Sequence, residues 1–182
     1  MKKSGKILKN KDSVLVIYYS LDGYTKLVAE TIAKGINADI LELKPERELL
    51  KVSGIARFSK YLWGGRQVIM KETPILLPFE KNIDDYGLLI IGTPVWAFTF
   101  APPLRTFFSN VKMKGKKIAL FCTHEGTKGK TLENMRKELL GNEIIGEIDF
   151  RRPKKSLDED KAKIISFAKD LLLKLFTDLR HF

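Results

Sequence analysis

Cysteine is nearly absent. The 182-residue chain holds one, Cys122, which excludes an internal disulfide and a cysteine-based metal cluster. With two histidines, His124 and His181, a structural zinc site is not expected either. No apolar run reaches the length needed to span a bilayer. The opening Met1 to Leu8 is basic but lacks the apolar centre of a signal peptide, so a cytoplasmic protein with no membrane role is expected. Repeats, low-complexity tracts and linkers are also missing. At 44% apolar content the chain can bury one core and is near the usual size of one domain. Residues 1–182 therefore read as a single domain with a basic extension at 1–12.

Acidic residues are outnumbered, 22 Asp and Glu against 33 Lys and Arg, for a net charge of +11. The excess gathers at Lys2, Lys3, Lys6, Lys9 and Lys11, at Lys112, Lys114, Lys116 and Lys117, and at Arg151, Arg152, Lys154 and Lys155. Such charge suits an acidic partner, a nucleic acid or plain solubility. No RNP-like aromatic motif or helix-turn-helix spacing accompanies it, so nucleic acid is not the expected partner.

Short apolar runs recur as strand candidates at Val14 to Tyr19, Ile40 to Leu43, Leu88 to Gly92, Ile118 to Cys122 and Ile144 to Ile148. Helical patterns lie between them. Residues 24 to 35 put Val28 and Ile32 on one face and stop at Gly35. Residues 103 to 111 follow a proline pair and space Leu104, Phe107, Phe108 and Val111 along one stripe. Residues 131 to 140 carry Leu132, Met135, Leu139 and Leu140 before Gly141. The last helix opens on the capping-box pattern Ser156-Leu157-Asp158-Glu159 and runs through Ile164, Ala168, Leu171, Leu172 and Leu175 to Leu179. Continuously apolar strands separated by helices predict a doubly wound, three-layer α/β fold around a parallel sheet. Residues 45 to 86 are longer than a simple crossover requires and read as an elaborated loop. That loop is expected to hold a helix at 47 to 63 and an extended stretch at 73 to 78.

In an open parallel sheet the binding crevice lies beyond the carboxyl ends of the strands, so the residues that follow each strand are the ones to read. After the first come Ser20-Leu21-Asp22-Gly23-Tyr24-Thr25, a hydroxyl-bearing, glycine-containing turn at a helix start. Its unpaired N–H groups, helix dipole and side-chain donors suit a phosphate. After the third comes Thr93-Pro94-Val95-Trp96-Ala97-Phe98-Thr99-Phe100, where Trp96 offers a surface for a flat ring. After the fourth comes Thr123-His124-Glu125-Gly126-Thr127, small and polar enough to approach a ring edge. Histidine is the side-chain type that titrates near neutrality, but no nucleophile accompanies His124 and a structural hydrogen bond is the plainer reading. Cys122 reads as a small buried hydrophobe.

One pattern is a decoy. Gly126-Thr127-Lys128-Gly129-Lys130-Thr131 ends like a nucleotide-gripping P-loop, but the required glycine five positions before Gly129 is His124. A G-x-G-x-x-G fingerprint is likewise missing.

Together, S-L-D-G-Y-T, I-I-G-T-P-V-W-A-F-T-F-A-P-P-L-R-T-F-F and L-F-C-T-H-E-G-T resemble the flavodoxin family, especially its short-chain members, over nearly the whole chain. Lys60-Tyr61-Leu62-Trp63-Gly64-Gly65-Arg66-Gln67 also looks like that group. The resemblance implies a five-stranded parallel sheet of order 2-1-3-4-5 holding FMN noncovalently at its carboxyl edge. It implies further that Ser20, Asp22, Gly23, Tyr24 and Thr25 hold the phosphate, that Thr93, Pro94, Val95, Trp96, Ala97 and Phe98 line one side of the flavin, and that Thr123, His124, Glu125 and Gly126 line the other. The family position matching Asp22 often carries a hydroxyl. An aspartate there would repel a phosphate dianion unless it points away and offers only its N–H. Flavodoxins are commonly acidic, and this basic chain suggests an acidic, ferredoxin-like redox partner. An electron carrier is the leading expectation. An NAD(P)H- or quinone-linked FMN oxidoreductase and a flavin-free binding module remain alternatives.

Overall fold

The computed structural model describes residues 10–47, 73–153 and 157–179. Within it, the apolar runs form the five long strands of a parallel sheet: β1 (Asn10–Tyr18), β2 (Asp39–Glu42), β3 (Tyr86–Trp96), β5 (Lys117–His124) and β6 (Glu143–Arg151). Their order is β2-β1-β3-β5-β6, the 2-1-3-4-5 arrangement expected for the long strands. A short strand, β4 (Thr99–Phe100), is added antiparallel to the end of β3.

The strands read as continuously apolar because both faces are covered, and the period of two divides their side chains between the two sides. Leu15, Ile17, Leu89, Ile91, Ile118 and Leu120 face one way and pack with Leu104 and Phe107 of α2 (Pro102–Asn110) and with Leu132 and Met135 of α3 (Thr131–Glu138). Val14, Val16, Tyr18, Leu88, Ile90, Ala119 and Phe121 face the other way. They meet Val28, Ala29 and Ile32 of α1 (Tyr24–Ile36) and Ile164, Ala168, Leu171 and Leu175 of α4 (Leu157–Leu179). Full burial of each such aliphatic side chain is worth about 1.5–3 kcal/mol.

Several boundaries differ from expectation, each for a local reason. α1 runs through Gly35 and stops at Asn37, whose φ of 52° supplies the left-handed cap. α3 ends at Glu138, so Leu140 lies outside the helical stripe and is 81% exposed. β3 continues past Gly92 through Thr93, Pro94 and Val95 to Trp96. A proline is tolerated there because β1 has ended at Tyr18, opposite Gly92, leaving Pro94 beyond that ladder. Gly92 itself lies under the Phe121 ring: a Cβ at that position would stand 2.0 Å from the ring's Cζ. β5 extends to His124, so Thr123 and His124 belong to the strand end rather than to the loop after it.

Of the long loop, the extended stretch is present. Pro45 and Leu76 form an antiparallel bridge, flanked by Glu46 N–H to Ile75 O at 2.8 Å and Leu77 N–H to Lys44 O at 2.8 Å. The helix expected at 47 to 63 falls, apart from Arg47, outside the described residues, as do residues 60 to 67, the capping residue Ser156 and most of the basic 1–12 extension. No helix among the described residues is long and apolar enough to cross a membrane.

Candidate functional site

Three strand ends build one cleft. Ser20, Leu21, Asp22, Tyr24 and Thr25 come from the β1–α1 connection, Pro94 to Phe98 from the end of β3, and Thr123 to Thr127 from the end of β5. The space they enclose is about 330 Å³. It lies at the carboxyl edge of the sheet, where β1 and β3, neighbours in space, send the chain to opposite faces: β1 leads to α1 and β3 to α2.

The first wall is a helix start. Gly23 takes φ 81° and, having no side chain, caps α1 without a side-chain hydrogen bond of its own, at the end where every helix presents acceptor-seeking N–H groups in its first turn. The Gly23 N–H itself donates to Ser20 Oγ at 3.1 Å, curling the loop over the helix end. Asp22 is exposed. Thr25 is 1% exposed, and its hydroxyl pairs with that of Thr123 at 2.8 Å, tying the first wall to the third.

The second wall is aromatic. Trp96 meets the edge of Tyr19, ring centroids 5.9 Å apart and planes at 82°. Beyond it, Ala97 and Phe98 form the two-residue turn between β3 and β4 with φ 44° and 65°. That is the twist a tight hairpin needs, although neither residue is the usual asparagine or glycine. The turn is held from outside. Phe98 O accepts the Lys130 N–H at 3.0 Å, and Gly129 comes so close that a Cβ there would stand 2.7 Å from Phe98 Cβ. Asn134 donates to Thr99 Oγ1 at 2.9 Å. Thr93 does not reach the cleft: it is fully buried, donating to Pro94 O at 2.9 Å and accepting the Ala101 N–H at 3.0 Å, so it braces the hairpin from behind.

The third wall carries a polar cluster. His124 Nε2 lies 3.0 Å from Asp149 Oδ2, and Lys128 Nζ lies 2.9 Å from Asp149 Oδ1. Burial pushes the Asp149 carboxyl up, but the hydrogen bonds from Lys128 and His124 outweigh it and hold the group below its ordinary value. Asp149 is thus ionised, and a ring N–H must be directed at it. The other ring nitrogen, Nδ1, is buried and has no hydrogen-bond partner among the described residues. Behind the cluster, burial raises the Cys122 thiol to about 12, so it is a packing group and not a nucleophile.

The structure thus gathers thirteen of the fifteen expected residues as cleft lining, with Gly23 as the cap beside it and Thr93 behind it. Sequence reasoning missed Tyr19, Lys128 and Asp149. Asp149 did leave a signal, as a carboxylate inside the apolar run Ile144 to Phe150.

Comparison with known proteins agrees with this fold. A flavodoxin family model matches residues 13–148. A flavoprotein from Lactobacillus acidophilus NCFM, solved in complex with FMN, superposes with a TM-score of 0.65 at 25% identity, covering 75% of this chain and 92% of that one. A flavoprotein from Bacteroides eggerthii DSM 20697 superposes at 0.63 with 20% identity, covering 85% and 98%. A flavodoxin from the domain Archaea gives 0.52 at 17% identity, covering 87% and 97%. The last two speak to the fold alone. No functionally curated protein matches. With its family match spanning most of the sequence and its three-walled cleft at the sheet's carboxyl edge, this chain belongs to the flavodoxin family.

Proposed function

We propose that the chain binds FMN noncovalently in this cleft and works as an electron-transfer flavoprotein. The observation that carries the reading is the pairing of a glycine-capped helix start with an aromatic wall across one cleft, one end suited to a phosphate and the other to a flat ring. The FMN-bound relative from Lactobacillus supports the choice of ligand.

The residues present fit the group. The N–H groups at the start of α1 and the Ser20 hydroxyl receive the phosphate, aided by the positive end of the helix dipole. Trp96, braced by Tyr19, with Pro94, Val95, Ala97 and Phe98, covers one side of the ring, and Thr123, His124, Glu125 and Gly126 meet the other. Bound FMN supplies the one- and two-electron chemistry. The protein keeps water from the ring faces, fixes the ring against rigid strand ends and sets which polar atoms it meets.

The acceptor or donor is read as an acidic, ferredoxin-like protein. Lys128, Lys130, Arg151 and Arg152 are exposed at or beside the cleft edge, on a chain of net charge +11, and opposite charge would steer such a partner to the edge where electrons pass.

A visible absorption spectrum and a titration of the colourless protein with FMN test the reading. The expected result is saturable quenching of flavin fluorescence near one FMN per chain. Unquenched fluorescence at every protein concentration would overturn it.

A further inference from the structure

β6 ends the sheet. Among the described residues no strand lies beyond it, so a strand of nine residues turns one edge of its backbone outward. A row of unpaired N–H and C=O groups is a template for a further strand, and proteins that stay apart must blunt it. The opposite edge strand, β2, has four residues and offers far less to pair with.

Two carbonyls of β6 are taken by the neighbouring helix. Lys174 Nζ of α4 donates to the Ile145 carbonyl at 2.7 Å, and Lys163 Nζ, from earlier on the same helix, donates to the Asp149 carbonyl at 3.2 Å. Lys163 also lies over the Phe150 ring, 5.2 Å from its centroid, which holds it against the strand. Ile145 is the extra residue in the pairing with β5, falling between the Ile118–Ile144 and Ala119–Gly146 pairs, and a bulge of this kind disturbs an edge further. Around Lys174 the edge and α4 leave an open groove of about 450 Å³ bordered by Glu143, Ile145, Leu173 and Thr177.

We propose that Lys163 and Lys174 form a two-point latch that keeps β6 from pairing edge to edge with β6 of a second copy of this chain. A second copy is the occupant that the strand itself fits. An antiparallel β6 registered about Glu147 sets Glu143 opposite Arg151 and Ile144 opposite Phe150, an opposite-charge pair and an apolar pair across the junction. Each ammonium sits where the N–H of an incoming strand would donate, and trapping it there against a second backbone would cost its hydration. The latch stands whether or not the cleft holds FMN.

Sedimentation equilibrium and hydrogen exchange across residues 143–151, each over a range of protein concentration, read the latch. Lys163→Met with Lys174→Met keeps the stems and removes the donors. Lys161→Met with Lys169→Met removes the same charge from exposed positions of the same helix. The expected result is that K163M/K174M self-associates about tenfold more tightly than wild type, the worth of one regained hydrogen bond, and that its exchange across 143–151 slows as it does so. Wild type and K161M/K169M should exchange there at a rate independent of concentration. A K163M/K174M variant that matches wild type in mass and in exchange at every concentration would overturn the proposal. Equal association by K161M/K169M would assign the effect to charge and overturn it too, as would exchange across 143–151 that slows with concentration in wild type. If the double variant loses its far-UV circular dichroism, Lys174→Met alone carries the test on the same two readouts. Tighter association with slowed exchange would then support the latch, and wild-type behaviour would overturn it.

Discussion

The hydroxyls of Thr25 and Thr123 meet at 2.8 Å in the interior, 98 positions apart in the chain. One stands in the first turn of α1 and the other near the end of β5, so the phosphate wall and the ring wall are one hydrogen-bonded unit.

Thr25→Val keeps the shape and removes one hydroxyl, leaving Thr123 buried and without that partner. A loss of about 1–3 kcal/mol in urea unfolding is expected. Thr25→Val with Thr123→Val should recover part of it, because two apolar groups of matched shape owe no hydrogen bond. Additive losses in the double variant would show that the pair is not coupled.

Asp22 is exposed on the phosphate side of the cleft. Two charges about 4 Å apart in water interact by about 1 kcal/mol, so Asp22→Asn should tighten FMN binding about two- to fivefold at low salt. The gain should shrink as salt rises. Equal affinities at low salt would mean that the carboxylate already points away.

Asp149 has its folded-state carboxyl below the ordinary value of 3.8. The stability it contributes is therefore fully present above that value and lost as pH falls through the lower folded value. Asp39 is lowered too, by the Tyr86 hydroxyl and then by Lys81. Asp149→Asn should flatten the acid limb of a stability-against-pH curve while leaving its neutral plateau flat. An unchanged acid limb would assign acid sensitivity to other groups.

Lys116 belongs to a basic cluster that reads in sequence as surface charge, yet it is a strut. Its Nζ donates to the carbonyls of Ile83, Asp84 and Tyr86 at 3.2, 3.3 and 3.0 Å. Lys116→Met keeps the stem and loses those bonds, and a cost of about 1–3 kcal/mol is expected. A Tm equal to wild type would refute the strut.

How much was legible follows from where the information lies in the chain. Strand cores such as Val14 to Tyr19 and Ile118 to Cys122 announce themselves, because burial on both faces leaves no polar position. Ser20 to Thr25 was legible because one local segment carries the whole helix start. The β3–β4 hairpin was not, since β4 has two residues and its turn is Ala97-Phe98 where the usual signal is asparagine and glycine. Gly35 drew attention from Asn37, which serves the same left-handed role two residues later. The cluster of His124, Lys128 and Asp149 joins a strand end, a loop and a neighbouring strand, and no spacing in the sequence encodes a contact made across a sheet.

The Ala97–Phe98 turn sets two demands of natural selection against each other. Left-handed backbone at a residue with a Cβ costs about 1–2 kcal/mol, and the chain carries two in a row. An Asn-Gly pair would relieve both, and would strip the aromatic from the cleft's rim, where Phe98 stands 67% exposed. Laboratory evolution for heat resistance alone should drift toward that pair, whereas evolution that also demands ligand binding should keep the strained one. The rim of this cleft is a trade-off written into two backbone angles.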